Sequence, residues 1–169
     1  MTVAGFDFWA EADLLLRLLA GMAAGVVVGW ERTTKQRSAG IRTFGLVGLG
    51  TAAGACIFSD PGQADAASRV VQGILTGIGF LGGGVIVLRR RDHTPQGLTT
   101  AAAIWVTAAL GCAAGLGDYA VVVSATVLAL ALLAVDHSIE RWAGRSRRLP
   151  PAEGVPAASP AAESVAAPR

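Results

Sequence analysis

The chain has 169 residues, of which 53% are hydrophobic and only 15% charged, with 22 Gly and a mean hydropathy of +0.53. That length suits about one domain, and so low a charge fraction excludes an ordinary soluble domain, a disordered chain or a nucleic-acid binder as a description of the whole. The net charge of +2 says less than the placement of the fourteen Lys and Arg, and Cys56 and Cys112, without CxxC spacing, form neither a disulfide framework nor a metal knuckle.

Five apolar stretches read as membrane spans, at about residues 14–30, 43–58, 70–88, 98–117 and 119–135. Backbone amides in lipid must bond internally, so all five are expected as helices. Asp7, Glu11 and Asp13 precede the first span in place of a basic leader, which argues for a retained span over a signal peptide. Within it Gly21, Gly25 and Gly29 form two overlapping GxxxG motifs, a close-packing face. Arg17 lies on the same stripe and is expected to point into protein.

The second span carries Gly45, Gly48, Gly50 and Gly54. The outer loop that follows holds Asp60 and Asp65, and leads to a third span with a small and polar face: Arg69, Gln72, Thr76, Gly79 and Gly83, beside Gly73, Gly77, Gly82 and Gly84. The first and third spans run in the same direction, so this face is expected to meet the first span's glycines and to form a cluster of Arg17 with Gln72 and Thr76. Thr99 and Thr100 open the fourth span, where helix capping is the simplest role; Gly111 and Gly115 lie further along, and Trp105 either fills the bundle or faces lipid. The fifth span has no glycine, which places it at the periphery or at an oligomer contact.

Lys and Arg mark the cytoplasmic side. Arg32, Lys35, Arg37 and Arg42 follow the first span, Arg89, Arg90 and Arg91 the third, and Arg141, Arg145, Arg147 and Arg148 the fifth. The predicted fold is an all-α polytopic membrane bundle of five transmembrane helices, N-terminus outside and C-terminus cytoplasmic. Residues 1–13 form a short outer segment, 14–135 the membrane domain, 136–149 a basic helical exit and 150–169 a disordered Pro/Ala-rich tail. The short run Gly40, Ile41, Arg42, Thr43 is echoed by Gly97, Leu98, Thr99, Thr100, a weak internal repeat.

Arg17 either pairs with Asp60 or Asp65 or snorkels to the outer interface. Glu31 is expected to pair with Arg37 or Arg42 across the first cytoplasmic loop. Cys56 and Cys112 lie near the same membrane face, where a contact is conceivable and simple apolar filling is favoured. His93 and His137 lack a second ligand at metal spacing.

The motifs together resemble the MgtC/SapB membrane proteins over residues 14–119. Gly29, Trp30, Glu31, Arg32 is similar to that family's Gly-x-Glu-Arg at the end of its first span, and Ala39 to Thr43 to its Ala-Gly-Leu-Arg-Thr. Arg69, Gln72, Gly77, Ile78, Gly79, Phe80, Leu81 and Gly82 resemble its third-span signature, with Gly83 where Ala is usual, and Gly97 to Ala102 resembles its Gly-Leu-Thr-Thr-Ala-Ala. The resemblance implies an inner-membrane, multi-pass protein with roles in growth at low magnesium and under acid stress, and a membrane partner such as the ATP synthase. Some members carry a folded cytoplasmic domain after the spans; the Pro/Ala-rich tail here suggests a membrane-only branch.

Two functions are therefore expected in competition. One is a regulatory or interaction protein acting on a membrane complex, with the lipid bilayer and a homo-oligomer among its contacts. The other is a Mg²⁺ transporter or channel, against which stands the lack of any Asp or Glu within a predicted span. No nucleophile, base and orienting group converge, so no enzyme, cofactor, metal or nucleic acid is expected. The expected site residues are the polar cluster Arg17, Asp60, Asp65, Arg69, Gln72 and Thr76, the cytoplasmic group Glu31, Arg32, Arg42, Thr43, Thr99 and Thr100, and the packing glycines Gly21, Gly25, Gly29, Gly77, Gly79, Gly82 and Gly83.

Overall fold

A computed structural model describes residues 8–88 and 95–146, with the backbone alone for Pro61 and for residues 87–88 and 136–146. The expectations for Arg89, Arg90, Arg91, His93, the side chain of His137 and the 150–169 tail lie outside the described residues. The elements in chain order are α1 (Phe8–Thr34), α2 (Ile41–Cys56), a 3₁₀ turn (Pro61–Gln63), α3 (Ala64–Gly84), the two-residue strands β1 (Val87–Leu88) and β2 (Pro95–Gln96), α4 (Leu98–Gly115) and α5 (Tyr119–Ser146). The bundle extends to Asp136; from His137 the chain forms a second unit, helical through Ser146.

Five helices over five predicted spans make the membrane domain all-α. α1 and α4 are each long and apolar enough to cross a membrane. α1 is described from Phe8, six residues before its predicted span, and Glu11 lies in its first turn, where an acidic side chain favours the positive end of the helix dipole. Trp9 and Trp30 are both exposed on it and stand about 30 Å apart at 1.5 Å per residue. That separation equals the thickness of a bilayer's hydrocarbon layer, with an indole suited to each interface.

The helices alternate in direction. Gly21 of α1 faces Gly48 and Ala52 of α2, while Gly29 faces Ile41, so α1 and α2 are antiparallel. Gly111 and Gly115 of α4 face Gly48 and Ala52 in the same order, so α2 and α4 are parallel. α3 runs against both, with Gly54 near Ile74 and Gly82 near Ala101. α1, α2 and α4 form the core, where Val28, Phe44, Ala52, Ile104, Ala108, Leu110 and Ala114 are buried.

The core glycines explain its closeness. A Cβ on Gly25 would run into the Phe44 carbonyl, one on Gly48 into the backbone of Gly21, and one on Gly111 into the Thr51 hydroxyl. Without a hydrophobic force between helices in lipid, contact at this range supplies the dispersion energy that holds them together. The face opposing α1's glycines is thus α2 and not, as expected, α3. The glycines of α3 are open: a Cβ on Gly73, Gly77, Gly79, Gly83 or Gly84 would meet nothing within 4 Å, and only Gly82 touches α4.

The end of the third span differs from the sequence reading. α3 stops at Gly84, where the amides of Val85 and Ile86 return to the carbonyls of Gly82 and Gly83, each at 3.2 Å. Residues 85–88 then turn into the β1–β2 hairpin, in which Val87 pairs with Gln96 and Leu88 with Pro95. Gly97 has φ +91 and sits against the Val85 carbonyl, a position no side chain can occupy, and this lets the hairpin return directly into α4. α5, without glycine over residues 119–135, makes no backbone approach comparable to those of α1, α2 and α4; it buries Val122 and Leu133 and leaves Leu128 and Leu132 exposed.

The glycine contacts give a direct test. Gly25→Val is expected to destabilise the bundle by about 1 to 3 kcal/mol or more through overpacking, whereas Gly50→Ala, with nothing within 4 Å of its Cβ, is expected to be neutral. Thermal unfolding in one detergent measures both; equal losses would remove the α1–α2 contact as the organising interface.

Candidate functional site

The described ionic side chains inside the bundle gather at the two ends of α1. At the end where α1 leads into α2, Arg32 is only 1% exposed. Its position is dictated by the glycine stripe: Arg32 follows Gly25 and Gly29 by seven and three residues, so it lies on the face turned to the core. Its Nη2 donates to the hydroxyl of Thr100 in the first turn of α4 at 3.3 Å, and its Nη1 to Glu31 Oε2 at 3.4 Å. Glu31 also pairs with Lys35, one turn on, with Nζ 2.6 Å from Oε1. The Lys35 ammonium reaches the Leu133 carbonyl of α5 at 2.8 Å.

Thr33 completes this end. Its hydroxyl donates to the Gly29 carbonyl at 2.9 Å and accepts the Ile41 amide at 3.1 Å. Since Gly40 at the start of α2 offers no side-chain cap, Thr33 supplies one from the neighbouring helix.

Arg17 defines the other end. Its Nε donates to Asp13 Oδ2 at 2.7 Å, one turn back, and its Nη1 to the Gly115 carbonyl at 3.0 Å, in the last turn of α4. A cation is favoured there by the negative end of the helix dipole. The Cys56 thiol donates to the same carbonyl at 3.4 Å. Arg17 and Arg32 are fifteen residues apart on α1, as are Thr100 and Gly115 on α4, about 22 Å in each case. The two arginines therefore hold the antiparallel helices in register at both ends.

Several expectations are corrected by this geometry. Arg17 does not meet Gln72, Thr76, Asp60 or Asp65, because α3 packs on α4 and the edge of α2 while α1 is occupied by α2 and α4. Asp60, Asp65, Arg69, Gln72 and Thr76 are exposed, and the Thr76 hydroxyl bonds back to the Gln72 carbonyl at 2.8 Å. Glu31 finds its cations at Arg32 on its own helix and at Lys35 just past its end, and Arg42 is exposed. Thr100 is not a cap: the N-cap of α4 is Gly97, without a side-chain bond, and the Thr100 hydroxyl is committed to Arg32. Thr43 and Thr99 are half-buried; no hydrogen bond joins either to this group. Cys56 and Cys112 are both free, and Trp105 is 47% exposed, turned outward.

Lys35 and Thr33 were missed as site residues. The signal for Lys35 was its i,i+4 spacing from Glu31; for Thr33 there was none, since its partner Ile41 lies across a loop. Chemically the group is a carboxylate shared by two cations, so it is a poor ligand for Mg²⁺, which needs carboxylates uncompensated by positive charge. Among the described residues no cluster of three or more His, Cys, Asp or Glu could hold a metal.

The sequence profile described as the MgtC family matches residues 18–142. The chain is similar to the protein SrpB of Synechococcus elongatus, 40% identical over 145 residues that make up 77% of this chain and 78% of that one. It is similar to YhiD of Escherichia coli K12, named as a candidate magnesium transporter, at 37% identity over 76% of this chain and 62% of that protein. The MgtC protein of Salmonella typhimurium is 39% identical over 80% of this chain and 56% of its own length. This chain thus spans less than two thirds of the latter two relatives. No solved structure matches it.

The ion group predicts unequal losses. Glu31→Gln leaves the buried Arg32 cation short of its carboxylate and is expected to cost about 3 kcal/mol, the lower end for breaking a buried pair, because Glu31 is partly exposed. Lys35→Met removes the more exposed partner and is expected to cost about 1 kcal/mol or less. Denaturant titration in micelles measures both, and a larger loss for Lys35→Met would show that Glu31, not Arg32, is the group needing compensation.

Proposed function

Because this chain belongs to the MgtC family, we propose that it is a multi-pass inner-membrane protein serving magnesium homeostasis and stress adaptation by acting on a membrane partner rather than by carrying the ion. On this reading residues 8–135 are the membrane domain. The N-terminus lies outside and the basic end of α1, with Arg32, Lys35, Arg37 and Arg42, lies in the cytoplasm.

The observation that carries the proposal is the dry interior. The residues buried between α1, α2 and α4 are apolar, and the threonine hydroxyls among them are already bonded: Thr51 to the Val47 carbonyl, Thr107 to the Ala103 carbonyl, Thr100 to Arg32. Every described carboxylate stands at a helix end or in a loop, at Glu11, Asp13, Glu31, Asp60, Asp65 and Asp118. A strongly hydrated divalent cation would meet no compensating oxygen charge along such a path. The carbonyls of Gly82 and Gly83, the nearest thing to an open backbone, are taken by the turn that ends α3.

The transporter reading draws its support from the name borne by the Escherichia coli relative. Magnesium uptake into proteoliposomes, followed by an internal magnesium-sensitive dye, separates the two. The expected result is no saturable uptake above empty vesicles, together with loss of growth at low magnesium in a strain lacking the protein; saturable uptake by the folded protein would replace this proposal with transport.

A further inference from the structure

α3 carries a face that no described residue of the chain covers. Arg69, Gly73, Thr76, Phe80 and Gly83 are all exposed and are spaced four, three, four and three residues apart. That is the seam spacing of two helices packed at a shallow left-handed crossing. The face is unsuited to lipid. Gln72 projects a carboxamide with donors and acceptor that hydrocarbon cannot satisfy, and the glycines leave backbone open beside Phe80, which is 91% exposed.

The face is also complementary to itself. Asp65 and Arg69 are exposed, carry opposite charges one turn apart, and form no salt bridge with each other or with any described residue of the chain. Two parallel copies of α3 related by a twofold axis along the membrane normal bring Asp65 of each toward Arg69 of the other. The same symmetry sets Gln72 against Gln72, where each carboxamide can donate and accept, and lets Phe80 of each copy enter the hollow beside Gly77 and Gly84 of the other. We propose that α3 is a dimerisation helix and that its occupant is a second copy of this chain. This rests on the reading of the chain as a membrane protein that works through its helix faces, and it holds or fails independently of ion flux.

Disulfide trapping in native membrane vesicles tests it, in a chain with Cys56→Ala and Cys112→Ala so that only introduced thiols react. Thr76→Cys and Gly73→Cys lie on the seam; Leu128→Cys, at an exposed position of α5, is the control. The expected result is a product of twice the chain mass from either seam variant, at least fivefold more than from Leu128→Cys. Adding Gly77→Leu should lower that product at least tenfold while leaving helix content unchanged, because a Cβ there meets no described residue within 4 Å. Trapping from the seam no stronger than from Leu128→Cys would overturn the proposal, as would a product of another mass or indifference to Gly77→Leu. The magnesium-uptake result is read separately: uptake by a trapped dimer would sink the regulatory reading and leave this interface standing.

Discussion

The bundle depends on the absence of a side chain at Gly48. Its Cα faces the backbone of Gly21 on α1, and its carbonyl lies within 2.6 Å of where a Cβ on Gly111 of α4 would stand. One residue of α2 thereby brings both neighbours to backbone range, and Gly25, Gly29 and Gly115 continue the contact along the helices. In water a larger side chain at such a place would be partly offset by the apolar surface it buries. In lipid that gain is absent, since the tails are as apolar as leucine, and only closeness of packing distinguishes the native arrangement from helices dispersed in the bilayer.

Close packing of smooth helices leaves them free to slide, and the ionic ends remove that freedom. Arg17 takes the Gly115 carbonyl and Arg32 takes the Thr100 hydroxyl, at matched fifteen-residue spacings on antiparallel helices. A shift of one helical turn would break both bonds across α1 and α4, leaving Arg32 with its pair on α1 but without the Thr100 hydroxyl that ties it to α4. Placing the charges at the ends keeps them within reach of the interfaces and leaves the middle of the bundle, among the described residues, to apolar groups, glycines and the hydrogen-bonded Thr51 and Thr107.

α3 and α5 are held differently. α3 has a glycine content suited to close packing yet spends only Gly82 on its own chain, and it ends in a turn and a short hairpin that deliver the chain back to α4 through Gly97. α5 has no glycine over residues 119–135, and the Lys35 ammonium reaches it at the Leu133 carbonyl. α1, α2 and α4 supply most of the core, to which α5 adds Val122 and Leu133 and against which α3 packs Ile74, Leu75 and Ile78; the outward face of α5 carries large aliphatic groups and that of α3 small and polar ones.

Periodicity and composition alone determined the five helices, the alternation of their directions and the close-packing role of Gly21, Gly25 and Gly29, because a bilayer forces backbone bonds inside each segment and GxxxG spacing marks one helix face. The family motifs likewise grouped Glu31, Arg32 and Thr100 at one end. Which helix met which face was not legible. The glycines of α1 could have matched either α2 or α3 by sequence; the loop of six residues between α1 and α2 and the shared carbonyl at Gly48 gave the place to α2. With α3 displaced, the cluster expected around Arg17 dissolved into a local pair with Asp13 and a bond to Gly115, and Gln72 and Thr76 were left outward. Partner choice among similar small-residue faces is decided by three-dimensional fit summed over whole helices, which one-dimensional spacing does not contain.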